Sequence, residues 1–183
     1  MAQERFDIGG VEGTNYSDFL EVIRKKMDPE SNYVILIDDE VGIRKKVARD
    51  IKSFDPSIQI LEASDGQQAL HALEKGRKKY AKDPLFMVVD LNMPVMDGWT
   101  FIDRMRKEYE GEGKPYGIPI IVLSSTSGEK GVLFMKKSVH GDKAGYQPLV
   151  AIAKENCTDS KKYSGIGEKN LISWLRHFAR EKE

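Results

Sequence analysis

The chain has 183 residues, enough for one well-buried core and a short additional segment but not for two full-sized domains. Its 29 Lys and Arg residues equal its 29 Asp and Glu residues, so no overall basic charge favours direct nucleic-acid binding. We expect a cytoplasmic protein, because a single cysteine excludes an internal disulfide, the polar start resembles no signal peptide, and no apolar run approaches the roughly 20 residues of a membrane span.

The first 31 residues are predicted to form an extension that is separate from a domain at residues 32–183. Apolar residues recur at helical spacing over residues 16–27, and this pattern predicts an amphipathic helix there. The sequence leaves open whether the helix caps the domain, mediates self-association or is disordered.

From residue 33 onward, short apolar runs alternate with longer amphipathic stretches. Five strands, each rich in Val, Ile or Leu as in strands buried on both faces, are predicted at 34–37, 58–63, 85–89, 120–123 and 149–153. Helices are predicted at 41–54, 66–80, 98–109, 129–138 and 168–180. This alternation predicts an α/β fold in which helices cover a parallel sheet.

Reactive side chains follow four of the predicted strands. In an open α/β sheet, ligands bind at the carboxyl ends of the strands, so these residues are expected to converge on one edge. The first strand is followed by acids, the third by an acid, the fourth by a hydroxyl group and the fifth by an ammonium group: Asp38, Asp39 and Glu40, then Asp90, Ser124 and Lys154.

Clustered carboxylates repel one another and need a cation or raised pKa values to coexist at neutral pH. Mg²⁺ meets that need, because it prefers oxygen ligands and typically joins one or two carboxylates to a phosphate oxygen. Phosphoryl transfer requires an aligned nucleophile and positive charge near the phosphoryl oxygens. Asp90 can be that nucleophile, Lys154 can supply the charge, and the Ser124 hydroxyl can donate a hydrogen bond to a phosphoryl oxygen.

The string VVDLNMPVMDG at residues 88–98 resembles the acceptor loop of CheY-like receiver domains, which belong to response regulators. The resemblance implies a flavodoxin-like, doubly wound (βα)5 fold with five parallel strands in the order 2-1-3-4-5, the order of a family member used as a standard example of this fold. It also implies that Asp90 is the phosphoacceptor and that the main-chain carbonyl of Asn92 binds the metal.

Two further segments carry the same resemblance, which covers residues 33 to about 180. The acids Asp38 and Asp39 match the family's metal-binding pair, with Asp39 as the direct ligand, whereas Asp38 can instead position Asp39 and water. The run IPIIVLSS at residues 118–125 matches the family's fourth strand and places Ser124 at the position of its switch hydroxyl group.

The chain departs from the family near Lys154. Glu155 follows this lysine where the family usually has proline, and Ala151 stands where the family commonly has Tyr or Phe. Lys143 is a rival to Lys154, but it lies in a segment predicted to be a loop. Since the segments 138–148 and 155–167 are longer than usual, we expect signal output to rely on them or on a helix rearrangement.

Other charged residues near the site are expected to cap helices or face solvent. Asp97, which precedes a predicted helix, is expected to cap it, and Glu40 is expected to cap a helix or face solvent. The basic cluster at Arg44 is expected to be a solvated helix face.

The resemblance implies a single-domain response regulator of a two-component or phosphorelay system. Its partners would be a sensor histidine kinase or a histidine phosphotransfer protein as donor, and a downstream protein as target. Two alternatives remain: a receiver-like interaction module that works without phosphorylation, and an aspartyl-phosphate-type phosphatase. A phosphatase of this type would require a second acid two residues after Asp90, but this chain has Asn92 there.

Overall fold

The computed structural model describes residues 32–124, 146 and 149–154. The strands are β1 (Tyr33–Ile37), β2 (Gln59–Ala63), β3 (Met87–Asp90), β4 (Ile120–Ser124) and β5 (Leu149–Ala153), and the helices are α1 (Val41–Phe54), α2 (Gly66–Tyr80) and α3 (Gly98–Gly111). The predicted helices at 16–27, 129–138 and 168–180, and the segments 138–148 and 155–167 apart from Tyr146, lie outside these residues. In the described ranges, no helix combines the length and apolarity that crossing a membrane requires.

The five strands form one parallel sheet in the order β2-β1-β3-β4-β5. Both the parallel sheet and the strand order implied by the family resemblance are therefore confirmed. In the register of the sheet, Ile37 pairs with Val89, and Asp90 pairs with Leu123. The carboxyl ends of β1, β3 and β4 consequently lie side by side.

The core is built mainly on the central strands. Every residue of β1 and β3 is buried, as the continuous apolar runs predicted. β2 differs, because Gln59 and Glu62 are exposed, so the expectation of burial on both faces is wrong for this strand. The reason is its position at the edge of the sheet, where it has a neighbouring strand on one side only.

Two helices begin at an aspartate that caps them. Asp65 accepts hydrogen bonds from the main-chain N–H groups of Gln67 and Gln68 at the start of α2. Asp97 accepts one from Thr100 at the start of α3, which confirms the capping role predicted for it. Glu40 precedes α1 but makes no side-chain capping hydrogen bond, so its carboxylate does not cap the helix.

Candidate functional site

Three carboxylates meet at the carboxyl ends of β1 and β3. Asp38 and Asp39 directly follow β1, and Asp90 is the last residue of β3. One carboxylate oxygen from each lies within 4.8 Å of those of the other two. Asp38 and Asp90 are buried, whereas Asp39 is exposed. The cluster thus combines two buried acids with one that faces solvent.

One carboxylate oxygen of Asp38 has unused hydrogen-bonding capacity. Its Oδ1 accepts hydrogen bonds from the main-chain N–H of Glu40 at 2.8 Å and from Lys154 Nζ at 3.3 Å. Its Oδ2 lies 3.1 Å from Lys154 Nζ, yet it is buried and accepts no hydrogen bond from the described residues. An unsatisfied buried carboxylate oxygen costs free energy, and a hard cation is the partner that such oxygens favour. The acids present therefore fit Mg²⁺.

Lys154 brings positive charge into this cluster from the end of β5. Its Nζ lies 3.2 Å from Asp90 Oδ2 and 2.8 Å from Glu40 Oε1, in addition to its contact with Asp38. The lysine is buried despite its charge. Its sequence rival, Lys143, lies outside the described residues. A buried lysine paired with buried carboxylates is expected of a site that binds a charged group.

Ser124 and Asn92 lie next to the acids along the chain and across the sheet. Ser124 ends β4 in register with Ala153, the residue before Lys154. The main-chain N–H of Asn92 donates a hydrogen bond to Asp90 Oδ1 at 3.3 Å, so the chain turns back over that carboxylate. The role of the Ser124 hydroxyl and the metal contact of the Asn92 carbonyl stay predictions.

Burial decides the electrostatics of the cluster. Burial, together with the negative charge of Asp38, raises the pKa of Asp90 to about 6, although Lys154 acts in the opposite direction. Burial also raises the pKa of Asp38. Burial by itself lowers the pKa of Lys154, but the hydrogen bond that Lys154 donates to Glu40 and the charges of both aspartates outweigh it, and the lysine pKa lies above its ordinary value. Keeping these buried acids ionised and close together therefore costs free energy, and additional positive charge reduces that cost.

The loop between β3 and α3 is held closely against Asp90. The main-chain N–H of Gly98 donates a hydrogen bond to the carbonyl of Leu91 at 3.1 Å. A Cβ atom at residue 98 would overlap the main-chain oxygen of Asp90. Glycine at this position therefore allows the start of α3 to approach the end of β3, and so fixes where the Asp90 carboxylate stands.

Val95 in the same loop is strained. It has a φ of 66°, in the left-handed region that β-branched residues rarely adopt, and it is 82% exposed. We expect Val95→Asn to raise the free energy of unfolding by about 1 kcal/mol, because Asn tolerates this conformation. Urea denaturation measures the change. Val41→Asn is the control, since Val41 is also exposed but lies in α1, and it is expected to give no gain. An unchanged or lower stability of Val95→Asn would contradict the prediction.

Two charged residues contact the site in ways that the sequence did not predict. Arg44 donates a hydrogen bond to the main-chain oxygen of Asp38 and pairs with Glu62, and its side chain is only 13% exposed, so the expected solvated face is wrong for it. Glu40 neither caps α1 nor merely faces solvent, since it pairs with Lys154, 114 residues along the chain. Spacing along the chain carries no signal for partners so far apart.

A protein family and several known proteins resemble more than half of this chain. Residues 34–139 match the response regulator receiver domain family. The chain is 32% identical over 105 residues, 57% of its length, to the sensor histidine kinase CheAY of Helicobacter pylori, and the match covers 12% of that protein. It is 30% identical over 138 residues, 75% of its length, to a protein-glutamate methylesterase/protein-glutamine glutaminase of Carboxydothermus hydrogenoformans, and covers 34% of it. The chain thus spans about a third or less of each of these two relatives.

Solved structures share the fold at low sequence identity. A two-component response regulator from Cytophaga hutchinsonii has a TM-score of 0.55 at 16% identity, covering 83% of this chain and 96% of that one. The receiver domain of the histidine kinase CKI1 from Arabidopsis thaliana, complexed with Mg²⁺ and BeF₃⁻, has a TM-score of 0.56 at 18% identity, covering 83% and 92%. The family match and the five-stranded parallel sheet confirm the resemblance found in the acceptor loop. The chain belongs to the response regulator receiver domain family, whose members act in two-component signalling and are generally phosphoacceptors rather than enzymes.

Proposed function

We propose that Asp90 accepts a phosphoryl group from a phosphohistidine in a Mg²⁺-dependent reaction. The observation that carries this proposal is the contact of the buried Asp90 carboxylate with the buried Lys154 ammonium, 3.2 Å away, beside two further acids. Such a cluster has a nucleophile, a fixed positive charge and oxygen ligands for a cation, which are the parts that phosphoryl transfer requires.

Asp90 acts as the nucleophile in this proposal. One of its carboxylate oxygens forms a bond to phosphorus while the bond between phosphorus and the histidine nitrogen of the donor breaks, and the imidazole keeps the electron pair and takes a proton from solvent. Lys154 pairs with one phosphoryl oxygen, and the Ser124 hydroxyl donates a hydrogen bond to another. The product is an aspartyl phosphate on Asp90.

Asp38, Asp39, Asp90 and the main-chain carbonyl of Asn92 would hold the Mg²⁺ ion. The buried Oδ2 of Asp38, which accepts no hydrogen bond from the described residues, supports this assignment, and the exposed carboxylate of Asp39 offers a ligand on the solvent side. A bound Mg²⁺ supplies positive charge against the phosphoryl oxygens. Arg44 contributes indirectly, because it holds the main chain of Asp38 where β1 ends.

The donor in this proposal is a sensor histidine kinase or a histidine phosphotransfer protein in the cytoplasm. Residues 32–183 form the receiver domain and residues 1–31 an extension of it. The phosphorylated domain acts on a downstream protein by contact and not on nucleic acid directly, consistent with equal numbers of basic and acidic residues. The chain assists its own phosphorylation and dephosphorylation but catalyses no reaction on another substrate.

Incubation with Mg²⁺ and acetyl phosphate, a small phosphodonor, tests the proposal by intact mass spectrometry. We expect a gain of one phosphoryl group in the wild type that requires Mg²⁺ and is absent in Asp90→Asn. Asp103→Asn is the matched control, because Asp103 pairs with Lys107 on the surface of α3 and is expected to leave the gain intact. If the wild type gains nothing from acetyl phosphate or from a phosphohistidine donor, an interaction module that works without phosphorylation replaces this proposal.

A further inference from the structure

Glu40 is a third carboxylate on the Lys154 ammonium. Its Oε1 lies 2.8 Å from Lys154 Nζ, closer than Asp38 Oδ2 at 3.1 Å or Asp90 Oδ2 at 3.2 Å. The main-chain N–H of Glu40 donates a hydrogen bond to Asp38 Oδ1, which fixes its backbone against the site. The side chain makes no capping bond to α1, so the lysine is its described hydrogen-bond partner.

Glu40 differs from the two aspartates in exposure. The Glu40 side chain is 58% exposed, whereas those of Asp38 and Asp90 are 4% and 2% exposed. Glu40 also stands outside the group of three acids that lie close enough to share a cation. It therefore contacts the lysine from the solvent side. When the Glu40 carboxylate leaves the lysine, it enters water and does not remain as an unpaired buried charge.

A phosphoryl oxygen and the Glu40 carboxylate are both anions that need the same cation. An ammonium group has three donors, and here three carboxylates already surround it. Of these three, the exposed carboxylate is the one that an incoming anion displaces most easily, because it regains water when it leaves.

We infer that Glu40 is a positioning residue that holds Lys154 in the unphosphorylated protein and competes with the phosphoryl group for it. This inference rests on the proposed function, since it assigns Lys154 to a phosphoryl oxygen. Glu40 thereby lowers the affinity of the site for phosphoryl-like anions and slows its reaction with small anionic donors. Because the Glu40 side of this contact is exposed to solvent, we expect an effect of about three- to fivefold.

Binding of BeF₃⁻, a stand-in for the phosphoryl group, tests the inference with the full chain at saturating Mg²⁺. Titrations followed by fluorine NMR are expected to give about three- to fivefold tighter binding for Glu40→Gln than for the wild type, with a difference that shrinks at high salt. Glu62→Gln is the matched control, because Glu62 is a comparably exposed acid that pairs with Arg44 at the same edge, and it is expected to bind as the wild type does. Mg²⁺ affinity without BeF₃⁻ is expected to be the same in all three proteins.

Acetyl phosphate gives a second readout. In that reaction the bond between phosphorus and the acetate oxygen breaks, a bond to an Asp90 oxygen forms, and acetate leaves with the electron pair. The rate constant of Glu40→Gln is expected to rise by the same factor as its BeF₃⁻ affinity.

Four results would overturn the inference. If the wild type binds BeF₃⁻ and Glu40→Gln binds it equally or more weakly, Glu40 does not compete for Lys154, but the proposed function is unaffected. An equal gain in Glu62→Gln would assign the effect to the overall negative charge near the site. A change in Mg²⁺ affinity would assign it to metal binding. If the wild type neither binds BeF₃⁻ nor reacts with acetyl phosphate, the proposed function fails and the inference fails with it.

Discussion

Lys154→Met is expected to lower the free energy of unfolding of the metal-free protein by about 3 kcal/mol. The substitution keeps an unbranched side chain of similar length but leaves Asp38 and Asp90 buried without their shared cation. Since Lys154 lowers the pKa of Asp90, its removal raises that pKa further above about 6. The loss of stability is therefore greatest at high pH and diminishes as the pH falls and the folded protein takes up a proton.

Urea denaturation in the presence of a chelator, over a range of pH, measures this loss. Lys107→Met is the control, because the Lys107 side chain is 69% exposed beside Asp103, and its removal is expected to change stability by less than about 0.5 kcal/mol. We expect Mg²⁺ to restore part of the stability of Lys154→Met, whereas phosphorylation by acetyl phosphate falls by about 100-fold. Equal stability of the two variants at high pH would show that the buried acids do not depend on Lys154.

Gly98→Ala is expected to lower the free energy of unfolding by about 3 kcal/mol and to slow phosphorylation of Asp90. The added Cβ meets the main-chain oxygen of Asp90, which is backbone and cannot turn away as a flexible side chain can. Relief of the overlap requires either α3 or the end of β3 to move, and movement of the end of β3 shifts the Asp90 carboxylate relative to Lys154.

Gly111→Ala is the matched control within α3, because no atom lies within 4 Å of a Cβ atom at that position. It is expected to raise stability by about 0.5–1 kcal/mol, as alanine restricts the unfolded chain. Thermal unfolding and the acetyl phosphate rate are to be measured on both variants. A Gly98→Ala protein with the stability and rate of the wild type would refute the close approach of α3 to Asp90.

The sequence by itself predicted the strands and the α/β class of the described fold, whereas the strand order came from the family resemblance. Alternating apolar runs and amphipathic stretches located all five strands, with ends that differ from the structure by at most about two residues. These patterns are local, since each depends on which faces of one element meet the core. The positions of Asp90 at a strand end and of Asp97 at a helix start could also be predicted from the sequence, because both are local features.

Only the tertiary structure decided which of the converging charges are buried and which are in direct contact. Asp38 is buried and its neighbour Asp39 is exposed, although the sequence treats them as a pair. Lys154 reaches Asp38 and Glu40 because β1 and β5 run parallel in one sheet, with β3 and β4 between them. Contacts between residues more than 100 positions apart follow from strand order and register, and side-chain burial then sets how strongly such charges interact.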